Sequence, residues 1–313
     1  MTDDSDTPRA GVARRDLIGF GAGAVVLAGS LDRAAQAQTE PRSSTQPGPV
    51  PQGAKPGRVV VEKRGAILLI GIDRVDVHNR FDVPIIVGLG KAYYQLDHDD
   101  GLRVGVLHGL GPDFSLGLDL GAYAAGRAAG ILPVKDADYI NPWGLYPPVR
   151  TKPVVAAAQG GAWYGGHELF LAADIRVAAS DATFSQGEVT RGVFPGGGAP
   201  IRFTREAGWG NAMRYMLTGD TWGAEEARRM GLVQDITAPG KQLDRAIEIA
   251  QKVAAAAPLG VRATLASAHQ SLSGEEPALA AQVENLAAIF QSEDVKEARR
   301  AAQEGRPPAF KGN

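Results

Sequence analysis

Residues 160–180 read "GGAWYGGHELFLAADIRVAAS", and the fold turns on how its two glycine pairs and the acid behind them are understood. Gly160-Gly161 and Gly165-Gly166 fall close together, and His167-Glu168 then open a helical run. Glycine lets one backbone approach another and leaves N–H groups free to point outward. Glu168 stands one step inside a helix whose continuation, "LFLAADIRVAA", is apolar, so its charge needs a source of solvation. A helix N-terminus offers oriented N–H groups and partial positive charge, which also stabilise a developing oxyanion. Three arrangements compete: a metal site, a tight structural crossing, or a turn that aims N–H groups and a carboxylate at a reacting carbonyl. The metal reading is weakest, because HExxH needs a second histidine where Leu171 stands, and none of the five histidines supplies that spacing. His167 by itself reads as a packing or hydrogen-bonding residue.

On either side of this stretch the pattern is that of an α/β chain. "RVVVEK" and "AILLIGI" read as strands joined by a turn at Arg64-Gly65, and "PIIVGLGKAYYQLDHD" as an amphipathic helix. "RVGVLHG", "PVVAAAQG", "DIRVAAS" and "ATFSQ" continue as strands. Residues 121–150 have little periodicity and several prolines and aromatics, the mark of a binding loop or a cover over the core. Beyond residue 200 the strands are expected to stop, leaving helices up to "PALAAQVENLAAIFQSEDVKEARRAAQEG", with Gly231 as a C-cap and Pro258 as a helix stop.

Composition narrows the function. The chain has 313 residues, 44% of them hydrophobic, and a formal net charge of -2 with interspersed signs, which argues against a nucleic-acid footprint. With no cysteine there is no disulfide, thiolate metal site or cysteine nucleophile. No internal repeat is present. Near the start, Arg14-Arg15, a short weakly apolar stretch from Leu17 to Leu31, and small residues at Ala35 and Ala37 resemble a twin-arginine export signal over residues 1–37. That stretch is too short and glycine-rich to span a bilayer, so no stable membrane insertion is expected. "GFGAG" at Gly19, Gly21 and Gly23 lacks the preceding strand of a dinucleotide-binding loop. Residues 38–57 read as a flexible linker.

Two further elements carry chemistry. Glu188 lies in "FSQGEVTRG" just after a strand, and two carboxylates meeting across a site could share one water, one as base and one as acid. "LHGLGPDFSLGLDL", residues 107–120, runs a strand into backbone punctuated by Gly109, Gly111 and Gly117. That could aim a main-chain N–H into a cleft or be an ordinary turn.

Together, "GLGPDFSLGLDL", "TKPVVAAAQGGAWYGGHELFLAADIRVAA", "ATFSQGEVTRGVFPGGGAPIRF" and "LTGDTWGAEEARRMGLV" resemble the ordered signatures of the enoyl-CoA hydratase/isomerase (crotonase) superfamily. The likeness runs from about Arg58 to the C-terminus. It implies a spiral of ββα units over residues 58–257 and a helical region over 258–313 that assembles a homotrimer or a dimer of trimers. It also implies an oxyanion hole from the backbone N–H groups of Leu118 and Gly165, gripping the thioester carbonyl of an acyl-CoA. Glu168 would assist an attacking water and Glu188 would exchange a proton at the α-carbon. Phe114, Leu116, Gly117, Tyr164 and Trp143 would contact substrate, and no cofactor is implied beyond the coenzyme A of the substrate itself. Tyr164 stands where glycine is common, His167 where a small residue is frequent, and Leu118 where alanine is frequent, so the acyl group is open. Hydration or its reverse leads; an isomerase working with one glutamate, or a non-catalytic acyl-CoA-binding oligomer, are the alternatives. Export implies a periplasmic location, in tension with coenzyme A thioesters, which are chiefly cytoplasmic; the alternative is cytoplasmic.

Overall fold

The computed structural model describes residues 48–272 and 274–313; the expected export signal lies outside the described residues. Two strands open the fold, β1 (Arg58–Arg64) and β2 (Ile67–Asp73), paired antiparallel across the turn expected at Gly65, where φ is 59°. β1 is an edge strand, exposed along most of its length, and its Lys63 and Arg64 discourage further pairing. β2 is buried almost throughout because it is flanked by β3 (Val104–Gly109), which begins the parallel part of the sheet. β4 (Val154–Ala158), β6 (Ile175–Ala179) and β9 (Asp235–Thr237) extend it to the order β1-β2-β3-β4-β6-β9.

Continuous apolar runs in β2, β3 and β4 follow from burial on both faces, as a parallel sheet requires. Alternate side chains separate into two layers. Ile67, Leu69, Val104, Val106, Val155, Ala157 and Val177 pack against Ala246 and Ala250 of α7 (Gln242–Ala255). Leu68, Ile70, Ile72, Leu107, Val154 and Ala156 face the larger core with α1 (Val83–His98) and α3 (Gly165–Leu171). Asp82 caps α1 by accepting from Ile85 N at 3.1 Å, and its other oxygen accepts from Gly57 N at 2.7 Å. The last residues of the expected linker are thus fastened to the fold, as is Gly48, whose carbonyl accepts from Arg80 at 2.6 Å.

A second sheet, β5-β7-β8, is formed by β5 (Gly161–Trp163), β7 (Thr183–Ser185) and β8 (Thr221–Gly223). β8 and β9 correct the expectation that strands end before residue 200; three residues are too few to show an alternating pattern. The insert also holds more structure than its sequence suggests. α2 (Leu120–Ala128) is capped by Asp119, which accepts from Ala122 N at 3.1 Å, and only Gly126 within it is buried, so an apolar stripe is missing.

The helical end begins with α4 (Ala199–Ala207), α5 (Trp209–Thr218) and α6 (Ala224–Arg229), the last closed by Gly231 at φ 80°. Pro258, expected to stop a helix, occupies the first turn of α8 (Pro258–Ser271) after α7 has ended. The final helical run divides at Ser292 into α9 (Glu275–Gln291) and α10 (Glu293–Glu304), with Ser292 Oγ accepting from Val295 N at 3.3 Å.

Candidate active site

β5 and β7 run parallel with Trp163 opposite Ser185, and Tyr164 N donates to Ser185 O at 2.8 Å as the last rung of that ladder. The chain leaves β5 into α3, which carries Glu168, and leaves β7 into a 3-10 turn, Glu188–Arg191, which begins with Glu188. Two acids far apart in sequence therefore depart from adjacent strands in the same direction.

Both are buried. Glu168 Oε1 accepts from Gly197 N at 2.7 Å and from Ala199 N at 3.1 Å, where the glycine-rich loop enters α4. A Cβ on Gly197 would lie 2.5 Å from Glu168 Oε2, so the loop can close over the carboxyl only as glycine. Burial pushes the Glu168 carboxyl up to about 7; the Ala199 amide pulls it back and the charge of Glu188 raises it again. Glu188 is raised by burial too, while Gln186 and Arg191 pull it down. Gln186 Nε2 donates to Glu188 Oε1 at 2.8 Å, and Glu188 Oε2 has no partner among the described residues.

On the facing side, the strand-to-glycine turn after β3 brings Gly117 and Leu118 against the start of α3. At φ 83°, Gly117 could not carry a side chain: a Cβ would lie 2.9 Å from Tyr164 Cβ and 3.1 Å from Gly165 N. Leu118 N lies 3.7 Å from the place a Cβ on Gly165 would occupy. Phe81 N donates to Gly117 O at 2.8 Å and Asp119 N to Phe81 O at 3.0 Å, so the Gly117 carbonyl and the Asp119 N–H on either side of Leu118 are fixed. Among the described residues neither Leu118 N–H nor Gly165 N–H donates a hydrogen bond. In the second glycine pair the close crossing belongs to Gly166, whose added Cβ would stand 2.3 Å from Ser115 O.

Tyr164 turns the chain into α3 with φ 55° and ψ −126°, a conformation suited to glycine and strained for tyrosine. Its ring is buried, with the Arg191 guanidinium 4.9 Å from the ring centroid. Trp143, from the insert, stacks edge-on against Phe81 at 5.5 Å and donates its indole N–H to Gly165 O at 3.1 Å. Phe114 is fully buried against Phe170 at 5.7 Å, behind the turn, and Leu116 packs with Trp163 and Tyr164. Among the described residues no group of three or more metal-ligating side chains occurs.

Several residues around this centre carry no obvious mark in the sequence. Gln186 reaches His167 as well as Glu188. Arg202 donates to Gly197 O at 3.2 Å and to Trp143 O at 2.6 Å, tying the glycine loop to the insert. Its place at the end of "PGGGAPIR" was the available signal.

The family profile described as enoyl-CoA hydratase/isomerase matches residues 62–313. The chain is 32% identical over 262 residues to an enoyl-CoA hydratase, EchA19, of Mycobacterium tuberculosis, covering 80% of this chain and 95% of that one. A carnitinyl-CoA dehydratase of Escherichia coli is 34% identical over 262 residues, covering 80% and 97%. In three dimensions the chain is similar to a probable enoyl-CoA hydratase/isomerase from Mycobacterium abscessus, with TM-score 0.78, 42% identity, and 82% and 98% of the two chains covered. With the family profile matching residues 62–313, most of its length, the chain belongs to the enoyl-CoA hydratase/isomerase (crotonase) superfamily of enzymes.

Proposed function

We propose that the protein adds water across the double bond of an α,β-unsaturated acyl-CoA thioester and eliminates it in the reverse direction. One observation carries this reading: two buried carboxyls, both raised by their surroundings, stand beside two neighbouring main-chain amides that have no partner among the described residues. The thioester oxygen would accept from Leu118 N–H and Gly165 N–H. Polarised in this way, the β-carbon becomes electrophilic and the negative charge of the enolate rests on that oxygen.

In hydration the oxygen of water bonds to the β-carbon and its proton passes to an ionised Glu168, while a protonated Glu188 gives its proton to the α-carbon. The double bond and one O–H bond of water break; new C–O and C–H bonds form. The pair ends with its single proton on Glu168. Elimination runs through the same atoms in reverse, with Glu188 taking the α-proton and Glu168 protonating the departing hydroxyl. Burial raises both carboxyls, Glu168 to about 7, which suits them to hand one proton back and forth. The names of the carnitinyl-CoA dehydratase relatives accord with the elimination direction.

Substrate selection falls to Tyr164, to Leu118 and to the insert behind Trp143, with Phe114, Leu116 and Gly117 shaping the turn. Assembly as a trimer or paired trimers is supported by α8, in which no residue is buried, and by exposed Leu279, Leu286 and Phe290 on α9. Residues 1–37 are read as an export signal, to be tested by fractionating cells for a shortened form. The catalytic reading is tested by following hydration of crotonyl-, longer enoyl- and aromatic enoyl-CoA in wild type, Glu168→Gln and Glu188→Gln. Unchanged rates in both variants would remove the two-acid mechanism.

A further inference from the structure

His167 is fully buried at the centre of an aromatic cage: the rings of Trp222, Phe203 and Phe184 stand edge-on to it at 5.1, 5.5 and 5.8 Å. Such a cage would suit a leucine equally well by volume and apolarity. A histidine here has one polar contact, Nδ1 against Gln186 Oε1, and its Nε2 has no partner among the described residues. Gln186 is itself fully buried, and its other end donates to Glu188 Oε1. The three side chains form one hydrogen-bonded line from the core to the candidate catalytic pair.

The line has a direction. An ionised carboxylate only accepts, so Gln186 must turn its NH2 toward Glu188 and its oxygen toward His167. The histidine must then be neutral with its proton on Nδ1. Burial enforces the neutral ring, pushing its titration down to about 3. The Gln186 amide can turn end for end only if the ring proton moves to Nε2, where no acceptor awaits it among the described residues.

We propose that His167 is a positioning residue which, through Gln186, locks a donor onto Glu188 Oε1 and so leaves Oε2 as the oxygen that exchanges the substrate's α-proton. This rests on the hydratase reading above. Without the lock, the amide can present its oxygen to Glu188, where a protonated carboxyl would donate to it from Oε1 and turn its proton away from substrate. The other groups bearing on Glu188 are Arg191 on its own turn, Glu168 from α3 and the Tyr164 phenol; Arg176 from β6 acts on His167. None of these groups touches the Gln186 amide; the Tyr164 carbonyl accepts from its Nε2 at 3.5 Å, so His167 and that carbonyl orient it together.

The experiment measures kcat/KM for crotonyl-CoA against pH, together with the titration of a 13C-labelled Glu188 carboxyl in the free protein. It is run in wild type, His167→Leu, His167→Asn, Gln186→Met and the His167→Leu/Gln186→Met double variant. Losing a donor to a charged acceptor should move the acid limb and the Glu188 titration up by about one pH unit in His167→Leu. The same change should lower kcat about tenfold or more, with KM nearly unaltered. His167→Asn carries an amide N–H at the same distance from the backbone as Nδ1, and should restore both. In the Gln186→Met background the leucine should add no further shift, since the histidine acts only through the amide. A folded His167→Leu that titrates like wild type, or a shift that adds in full to that of Gln186→Met, overturns the proposal. Should His167→Leu not fold, the 15N spectrum of the wild-type ring decides: a proton on Nδ1 upholds the line, and a proton on Nε2 overturns it. If wild type hydrates no enoyl thioester, the functional reading falls, while the carboxyl titration still tests the lock by itself.

Discussion

Trp143 and Gly165 are joined by an indole N–H to carbonyl hydrogen bond of 3.1 Å, the contact through which the insert grips the first turn of α3. The tryptophan expected to touch substrate has its one donor spent on the backbone beside the candidate oxyanion amide. Trp143→Phe keeps the ring against Phe81 and removes only that donor. It should cost about 1 kcal/mol of stability and lower kcat more than it changes KM, read by thermal melts and steady-state rates. Equal loss in a distant surface control would show the bond to be unimportant for the reaction.

Glu168→Gln and Glu188→Gln should each lower turnover of an enoyl thioester by about 10²- to 10⁴-fold, the usual range for a positioned acid or base. In the proposed mechanism the two carboxyls share one proton, so kcat/KM should follow a single bell in pH, in the same place for hydration and elimination. Its alkaline limb should lie near the value to which burial lifts Glu168, about 7. A rate that stays flat well above that pH would show that the pair's last proton plays no part.

Opposite pH dependences of stability should come from His167 and Glu168. Folding raises Glu168 from 4.5 to about 7, so the folded state holds a proton the unfolded chain has released; that stability is complete below 4.5 and lost as pH rises through about 7. Folding lowers His167 from 6.5 to about 3, so its stability is complete above 6.5 and lost as pH falls toward about 3. Relative to wild type, Glu168→Gln should gain about 1–3 kcal/mol between pH 5 and pH 8, and His167→Leu should gain as pH falls from 7 to 5. Denaturant melts at the two ends of the range would show the slopes, and parallel curves would refute them.

Tyr164 should invert the usual ranking of alanine over glycine. At φ 55° and ψ −126° a Cβ is strained, so Tyr164→Gly should be more stable than Tyr164→Ala by about 1–3 kcal/mol, although both lose the ring beneath Arg191. Urea unfolding of the two variants side by side measures it.

Much of this architecture can be read from the chain. The apolar runs of β1 to β4 and the glycines that end several of them show their strands and turns, because each strand is long enough to leave such a run in the sequence. β8 and β9 do not, since three residues between helices carry no period. α2 is hidden for a different reason: its capping Asp119 is legible, but a helix with only Gly126 buried has no apolar stripe to reveal it. Glu168 stands out as an acid opening an apolar run, whereas Glu188, in "FSQGEVTRG", is picked out by the resemblance. The amides of Gly197 and Ala199 and the side chain of Gln186 do not, since an N–H has no letter of its own and a glutamine shows no sign of which way its amide points.

The ladder between Trp163 and Ser185 sets how this centre can vary over time. Side chains around it can be exchanged one for one, because the backbone beneath them stays where it is. A change in length is another matter: one residue gained or lost between either strand and its acid would displace that carboxyl by about 3.3 Å, more than a hydrogen bond can absorb. Insertions should therefore collect in surface loops such as 121–150, while the two short paths from strand to carboxylate keep a fixed count.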